Sequence, residues 1–160
     1  MADPDLDALL QRGYRYALAL THDESRAEDL LQDALVAVLR RGGPRTAPYL
    51  MTAIRNRFID LHRRERLLVM QPLDEGAAGE DLAVLDEPWE RVADDRLEAA
   101  LAQLRPQERE ALYLACVEDY TAKEIAELTG RPRGTVLSLI FRARGKLREI
   151  LGANPREGKA

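Results

Sequence analysis

The chain has 160 residues, of which 46% are hydrophobic, and its 24 Lys and Arg against 28 Asp and Glu give a formal net charge of −4. No apolar run approaches the roughly 20 residues that span a bilayer, and the N-terminus lacks the basic and apolar regions of a signal peptide, so we expect a cytoplasmic protein with no membrane partner. A single cysteine excludes an internal disulfide, two histidines are too few for a metal cage, and no catalytic triad spacing or Gly-rich phosphate loop occurs, so neither a cofactor nor an enzyme activity is predicted.

Three helices are predicted in the first 67 residues, because apolar residues recur there with helical spacing. The first covers about 4–20. The second opens with the capping-box pattern Ser25 to Glu28 and ends at the turn 42–44. Its apolar face holds Leu30, Leu31, Ala34, Leu35, Val38 and Leu39. The third begins near Pro48, a residue suited to a first helical turn, and runs to about 66. Its apolar stripe consists of Leu50, Ile54, Phe58 and Leu61.

An acidic linker is predicted at 68–92, because this stretch contains glycines and has no sustained period. Helices resume at about 90–104, 106–118 and 132–151, and a short helix before the last is capped by the pattern Thr121 to Glu124 and ended by Gly130. Cys116 has apolar neighbours in sequence and is expected to be a small core residue. The predicted fold is therefore all-α. It comprises a helical domain at 1–67, the linker at 68–92, a helix-turn-helix domain at 93–153 and a tail at 154–160.

Charge is distributed unevenly along the chain. Residues 34–66 hold eight arginines against two acids, and residues 131–148 hold six basic residues and no acid. Residues 67–97 hold nine acids against two arginines. Two basic blocks separated by an acidic one indicate two polyanion contacts on one chain, although either block by itself could be a solvated helix face.

The segment 121–139 has the spacing of a helix-turn-helix, with Ile125 on the short helix, Gly130 in the turn and Val136 on the next helix. On the last helix the expected buried seam consists of Val136, Ile140, Ala143, Leu147 and Ile150, and Leu139 is expected to widen it. Leu137 and Phe141 lie on another face, flanked by arginines. There they could touch thymine methyl groups or dock on a protein.

The third helix carries a polar and basic face opposite its apolar stripe. This face consists of Thr52, Arg55, Asn56, Ile59, His62, Arg63 and Arg66. Just before it, Arg45, Thr46 and Tyr49 mark a junction between loop and helix. An aromatic side chain beside arginines suits stacking on unpaired bases, but Tyr49 could equally pack in the core.

These motifs resemble a known family. The segments SRAEDLLQDALVAVLRR (25–41) and YLMTAIRNRFIDLHRRERL (49–67) are similar to region 2 of bacterial RNA polymerase sigma factors. LRPQEREALYLACVEDYTAKEIAELTGRPRGTVLSLIFRARGKLRE (104–149) is similar to their region 4. Two regions joined by a short tether, without further domains, resemble the extracytoplasmic-function (ECF) group of the sigma-70 family. The resemblance covers most of the chain and implies a factor that directs promoter-specific transcription initiation and is not itself an enzyme.

The resemblance also implies partners and contact residues. The second helix would dock on the clamp helices of the largest subunit of core RNA polymerase through Glu28, Asp29, Leu31, Gln32 and Asp33. The polar face of the third helix and its preceding loop would recognise and melt the upstream promoter element through Arg45, Thr46, Tyr49, Thr52, Arg55, Asn56, Ile59, His62, Arg63 and Arg66. The helix-turn-helix would bind the more distal element through Lys123, Arg131, Arg133, Gly134, Thr135, Leu137, Ser138, Phe141, Arg142, Arg144 and Lys146. The flap region of the polymerase and an anti-sigma factor are further expected partners.

Two other interpretations compete with this one. A sigma-like decoy would bind an anti-sigma protein without engaging DNA, which is favoured by Leu137, Leu139 and the acidic total and opposed by the two basic blocks. In the ECF group, basic residues are common at those two leucine positions, and tryptophan is often found at the position of Tyr49. A plain helix-turn-helix repressor would leave residues 25–66 unexplained.

Overall fold

The computed structural model describes residues 4–66 and 94–152, and these form seven α-helices. They are α1 (Pro4–Thr21), α2 (Glu24–Arg41), α3 (Ala47–Arg66), α4 (Asp94–Ala102), α5 (Pro106–Cys116), α6 (Ala122–Thr129) and α7 (Arg133–Gly152). The chain divides into two compact units, one containing α1–α3 and the other α4–α7. The prediction of an all-α chain with two helical domains is confirmed. The predicted linker and tail lie outside the described residues, so the domain boundaries stay predictions.

The first unit is a three-helix arrangement in which α1 packs on both α2 and α3, and α2 packs on α3. Its core consists of Tyr16, Ala17, Leu20, Ala27, Leu30, Ala34, Val38, Ala47, Leu50, Met51 and Ile54. Gly13 lies at the contact of α1 with both neighbouring helices, because a Cβ there would come within 2.9 Å of Leu50 Cδ2 and 3.0 Å of Leu31 Cδ1. The missing side chain lets α1 lie against both neighbours.

The start of α2 differs from the prediction. Asp23, not Ser25, is the N-cap: its backbone is extended and its carboxylate accepts a hydrogen bond of 3.0 Å from the backbone N–H of Arg26. A carboxylate there satisfies an otherwise unpaired donor and also lies at the positive end of the helix dipole. The helix therefore begins at Glu24, and the predicted capping box at Ser25 is wrong. It ends as predicted at Gly42, which adopts φ +63.

One predicted core residue of α2 is on the surface. Leu39 is 67% exposed, and Val36 is 47% exposed. At about 100° per residue, Leu39 lies beyond Val38 on the side of α2 that faces away from α1 and α3. The apolar face is therefore narrower than the sequence predicts.

In the second unit, α7 packs against α4, α5 and α6. A core cluster of Ala100, Leu104, Leu112, Ala143 and Leu147 joins α4, α5 and α7. The predicted capping box of α6 is present, since Thr121 Oγ1 accepts from Glu124 N–H and Glu124 Oε1 accepts from Thr121 N–H, both at 3.1 Å. Gly130 ends the helix with φ +68, as the helix-turn-helix pattern predicts.

Cys116 is exposed, so the prediction that it is a core residue is wrong. The buried side of α5 includes Leu112 and Leu114. Cys116 is the last residue of α5 and lies two residues beyond Leu114, the last buried residue of that helix. Its exposure therefore reflects its place at the end of the helix.

Within the described residues, no helix is long and apolar enough to cross a membrane.

Candidate nucleic-acid interface

The exposed side of α2 combines acidic and apolar side chains. All of the following are exposed: Glu28, Asp29, Gln32, Asp33, Val36 and Leu39. Helical spacing brings Asp29, Asp33 and Val36 onto one stripe, with Leu39 at its edge. Val36 and Leu39 are additions to the predicted polymerase-binding set, since Leu39 was expected on the apolar face and no role was predicted for Val36.

Leu31 does not belong to that surface. It is half-buried, and its Cδ1 lies 3.0 Å from the point that a Cβ on Gly13 would occupy, so it faces α1. Next to this contact, partial burial raises the pKa of the Tyr14 phenol, and the charges of Glu24 and then Glu28 raise it further. The acidic end of α2 therefore lies near the phenol of α1.

Asp33 forms an ion pair within the first unit. Its Oδ2 accepts a hydrogen bond of 3.1 Å from Arg57 Nε on α3, and both side chains are substantially exposed. This bond joins the acidic stripe of α2 to the basic block of α3. A partner that binds Asp33 must either contact Arg57 as well or displace it from the Asp33 carboxylate.

The polar face of α3 is partly covered. Asn56 and Arg63 are exposed, whereas Thr52, Arg55, Ile59 and His62 are half-buried. The Thr52 hydroxyl donates to Pro48 O at 2.8 Å and is thus used within the helix. The face also holds His62, whose ring stacks on Phe58 at 5.7 Å between centroids with 16° between planes. The side chain of Arg66 lies outside the described residues.

Tyr49 packs against the loop between α2 and α3. Its ring is half-buried and lies so close to Gly43 that a Cβ there would overlap the ring and its hydroxyl oxygen. Arg45 and Thr46 are exposed on the same loop. Tyr49 is therefore neither a core residue nor free in solvent, because one part of its ring is covered by the glycine backbone.

On α7, the residues of the predicted DNA-binding helix fall into two groups. Arg133, Phe141 and Arg148 are exposed, with Phe141 at 52%, and Leu137 and Arg144 are half-buried beside them. Arg144 Nη2 lies 4.0 Å from Cys116 Sγ. Lys123 is exposed near the start of α6, whereas Gly134, Thr135 and Arg142 are half-buried.

Two side chains of α7 are buried. Leu139 is 4% exposed, as expected for a residue that widens the core. Ser138 is 2% exposed, and its hydroxyl donates to Gly134 O at 3.0 Å. A side chain that is covered and bonded within its own helix does not reach a base, so we remove Ser138 from the predicted DNA contacts.

Arg131 and Lys146 form ion pairs with nearly inaccessible carboxylates of α5. Arg131 Nη1 donates to Glu110 Oε1 at 2.7 Å, and the Glu110 side chain is 2% exposed. Lys146 Nζ donates to Glu108 Oε1 at 2.7 Å, and the Glu108 side chain is 1% exposed. Arg105 Nε lies 3.6 Å from the same carboxylate oxygen. Two of the predicted DNA ligands therefore hold α7 and its preceding turn on α5.

The residue between these two glutamates holds the end of α4. Arg109 Nη1 donates to Leu101 O at 3.2 Å, which satisfies a carbonyl in the last turn of α4, and to Leu104 O at 2.7 Å in the turn after it. Burial lowers the pKa of Arg109, and the charge of Glu108 acts in the opposite direction. Glu108, Arg109 and Glu110 are all buried, and we call them the α5 charge cluster. This cluster is not evident from the sequence, because a Glu-Arg-Glu run ordinarily lies on a solvated face.

Both units match protein-family models. Residues 6–67 match Sigma-70 region 2, and residues 94–147 match Sigma-70, region 4. The basic helix α3 thus lies in the segment that matches region 2, and most of α7 lies in the segment that matches region 4.

Individual relatives agree with these matches. The chain is 38% identical over 138 residues to RNA polymerase sigma factor CarQ of Myxococcus xanthus, which covers 79% of this chain and 75% of that protein. It is 33% identical, in an alignment 171 residues long, to ECF RNA polymerase sigma factor SigE of Mycolicibacterium smegmatis. That alignment covers 98% of this chain and 65% of that protein. The chain belongs to the ECF RNA polymerase sigma factors of the sigma-70 family.

A solved structure has the same fold. The sigma factor RpoE, described in a co-crystal structure with the anti-sigma factor NepR from Bartonella quintana, matches with a TM-score of 0.68. The match covers 93% of this chain and 95% of that one at 24% identity.

Proposed function

We propose that this ECF sigma factor binds core RNA polymerase through the outer surface of α2, the upstream promoter element through α3 and the loop before it, and the more distal element through α7. In this proposal the chain performs no catalysis, and the polymerase does the chemistry. One observation carries the proposal. The chain's two basic blocks lie in separate units, and each presents arginines at the surface of a helix.

The α2 surface suits a protein partner that has both basic and apolar groups. Asp29 and Asp33 supply the charge, and Val36 and Leu39 supply exposed apolar area. Large apolar side chains near the centre of an interface contribute much of its binding energy, whereas charged groups mainly favour encounter and orientation. The proposed polymerase-binding set is therefore Glu28, Asp29, Gln32, Asp33, Val36 and Leu39, without Leu31.

The Asp33–Arg57 pair allows a sharp test of this docking surface. Replacing Asp29 and Asp33 together with lysine should weaken association with purified core polymerase at least tenfold in a competition assay. The charge-swapped variant Asp33→Arg with Arg57→Asp keeps an internal ion pair but alters the surface charge. If Asp33 contacts the polymerase, the swapped variant should still bind weakly. Binding at the wild-type level would show that Asp33 acts only through its ion pair between α2 and α3.

We also propose that Tyr49 stacks on an unpaired base of the upstream element, with Gly43 supporting its ring. A ring held on one side by backbone offers its other side to a base at little cost in conformational entropy. Gly43→Ala would push the ring away, so open-complex formation should fall several-fold while core binding is retained. Gly145→Ala is the matched control, because a Cβ at that position meets nothing within 4 Å. Equal effects of the two variants would contradict the supporting role.

The overall function is tested by run-off transcription. Purified core polymerase, with and without the full-length chain, is given a pool of genomic promoter fragments. We expect discrete transcripts that depend on this chain and start at a fixed distance from two shared sequence elements. Core enzyme that gives the same transcripts without the chain, or no transcript with it, would contradict the proposal.

An anti-sigma partner stays a prediction for this chain. The decoy interpretation is separated from the favoured one by the same transcription assay, because a decoy would bind an anti-sigma protein and give no promoter-dependent transcript.

A further inference from the structure

The outward surface of α7 has a basic–apolar–basic order. Arg133, Leu137, Phe141, Arg144 and Arg148 follow one another at spacings of four, four, three and four residues, which keeps them within about 80° of the helix circumference. We call these five residues the α7 stripe. Its middle is formed by Leu137 and Phe141, and Phe141 is 52% exposed.

The polar side chains of the N-terminal half of α7 do not lie on the middle of this stripe. Ser138 is buried and bonded to Gly134 O. Thr135 is about 160° from Leu137 around the helix. The basic groups Arg131 and Lys146 are paired with the α5 charge cluster. The middle of the stripe is therefore apolar in a helix that, in the proposed function, faces base edges.

The charges at the two ends of the stripe favour DNA over a protein as the occupant. Arg133 and Arg148 are 15 residues apart, about 22 Å along the helix, whereas the major groove is about 12 Å wide. Arginines near both ends can therefore reach phosphates on the two sides of the groove while the middle lies over the bases. Residues 131–148 contain no acid. The one acid of α7, Glu149, follows the last residue of the stripe and is turned about 100° from Arg148 around the helix.

We propose that Leu137 and Phe141 are specificity-determining residues that recognise thymine through its 5-methyl group. In the major groove the thymine methyl is the apolar group that a base pair presents, and it is the natural contact for an apolar side chain. This inference rests on the proposed function, since it assumes that α7 enters the distal element. It predicts a distal element with at least one thymine facing the middle of the stripe, read without a hydrogen bond at that position.

The test uses holoenzyme assembled from core polymerase and the full-length chain, on a promoter obtained from the transcription assay. Each thymine of the distal element is replaced singly with deoxyuridine, which removes the methyl and leaves base pairing intact. At one or two positions the affinity should fall about fourfold, the value of burying one methyl-sized group. Leu137→Ala or Phe141→Ala should weaken binding to thymine DNA and abolish the difference between thymine and uracil.

Arg148→Ala is the matched control on the same stripe. It should weaken thymine and uracil promoters by the same factor and so preserve their ratio, because a phosphate contact carries no information on the base. Far-UV circular dichroism of each variant checks that α7 is retained. Loss of the thymine–uracil difference only in the two apolar variants would support the inference.

Three results would overturn it. The first is normal promoter binding that no uracil substitution changes. The second is a Leu137→Ala holoenzyme that keeps full promoter affinity but loses association with a protein partner, which would make the stripe a protein-docking surface. In both cases the chain still directs transcription, so the proposed function survives. The third is a wild-type chain that gives no promoter-specific complex at all, which would overturn the proposed function together with the inference.

Discussion

The helices α3 and α7 are both 20 residues long and both carry a basic block, yet they use their cations differently. In α3, Arg63 and Arg64 are exposed, and the ion pair of Arg57 with Asp33 has 36% and 49% of its two side chains accessible. By contrast, Lys146 of α7 and Arg131 in the turn before it reach carboxylates that are about 1–2% exposed.

This difference shows that a local charge count does not measure a DNA-binding surface. An exposed ion pair exchanges readily with water and contributes little to stability, whereas a buried carboxylate requires its cation because desolvation without a partner is costly. The basic residues of α7 are thus divided between holding the helix-turn-helix together and facing a ligand. Variants of the two helices should separate these uses.

The largest expected effect is on the α5 charge cluster. Glu108→Gln keeps the shape of the side chain but removes the charge that faces Lys146 and Arg105, so we expect the free energy of unfolding to fall by about 2–3 kcal/mol. The value is at the low end for a buried pair because Lys146 is 39% exposed and can rehydrate. Urea unfolding followed by far-UV circular dichroism measures it. A change below about 0.5 kcal/mol would show that the pair is not structural.

Helix caps give the next effect, one in each unit. Thr121→Ala removes the capping box of α6, and Asp23→Ala removes the N-cap of α2, so each should cost about 1 kcal/mol. Ser25→Ala is the control, since the sequence pattern predicts a cap there but the structure has it at Asp23. Its unfolding free energy should change by less than about 0.5 kcal/mol. A larger loss for Ser25→Ala than for Asp23→Ala would contradict the described start of α2.

The α6 cap also predicts a dependence on pH. The backbone hydrogen bond from Thr121, followed by its side-chain bond, lowers the pKa of Glu124 below the ordinary value of a glutamate. The ionised form is therefore favoured by folding, and this stabilisation is present above the unfolded pKa and is lost as pH falls through the lower folded pKa. Between pH 6 and pH 3, the free energy of unfolding should fall less steeply for Glu124→Gln than for the wild-type chain. A Glu124→Gln variant with the same pH dependence as the wild-type chain would contradict this role of the cap.

The smallest effect is expected at the exposed pair. Arg57→Ala should change the unfolding free energy by less than about 1 kcal/mol at low salt and by less still in 0.5 M NaCl, since the pair is screened. Urea unfolding at two salt concentrations tests this. A salt-independent loss as large as that of Glu108→Gln would remove the contrast between the two ion pairs.

Much of this architecture could be predicted from the sequence, because helical periodicity and terminal signals act locally. The capping box at Thr121, the left-handed turn at Gly130 and the seam through Val136 depend on residues a few positions apart. The burial of Glu108 and Glu110 could not be predicted in this way. Their partners Lys146 and Arg131 lie 38 and 21 residues further along the chain, and only the packing of α5 on α7 brings them together.

The candidate site was predictable to a similar extent. The exposed arginines of α3 and the apolar middle of the α7 stripe follow from helix geometry, whereas the contact of Tyr49 with Gly43 depends on the path of a loop. Leu31 was expected in the polymerase-binding set but faces α1, and Leu39 was expected on the apolar face but is exposed. Both differences arise because α1 covers one side of α2 and leaves the other exposed.

The division of the cations is tested most directly by the salt dependence of holoenzyme–promoter binding. For each variant, log K is plotted against log salt concentration, and the slope reports the number of phosphates contacted. We expect Arg63→Ala and Arg148→Ala each to reduce the slope by about one phosphate. Two other variants should leave the slope unchanged. One is Lys146→Ala, and the other combines Arg131→Met with Glu110→Gln so that both members of that buried pair are removed. A slope reduced equally by all four variants would contradict the account, because Arg131 and Lys146 would then be DNA ligands.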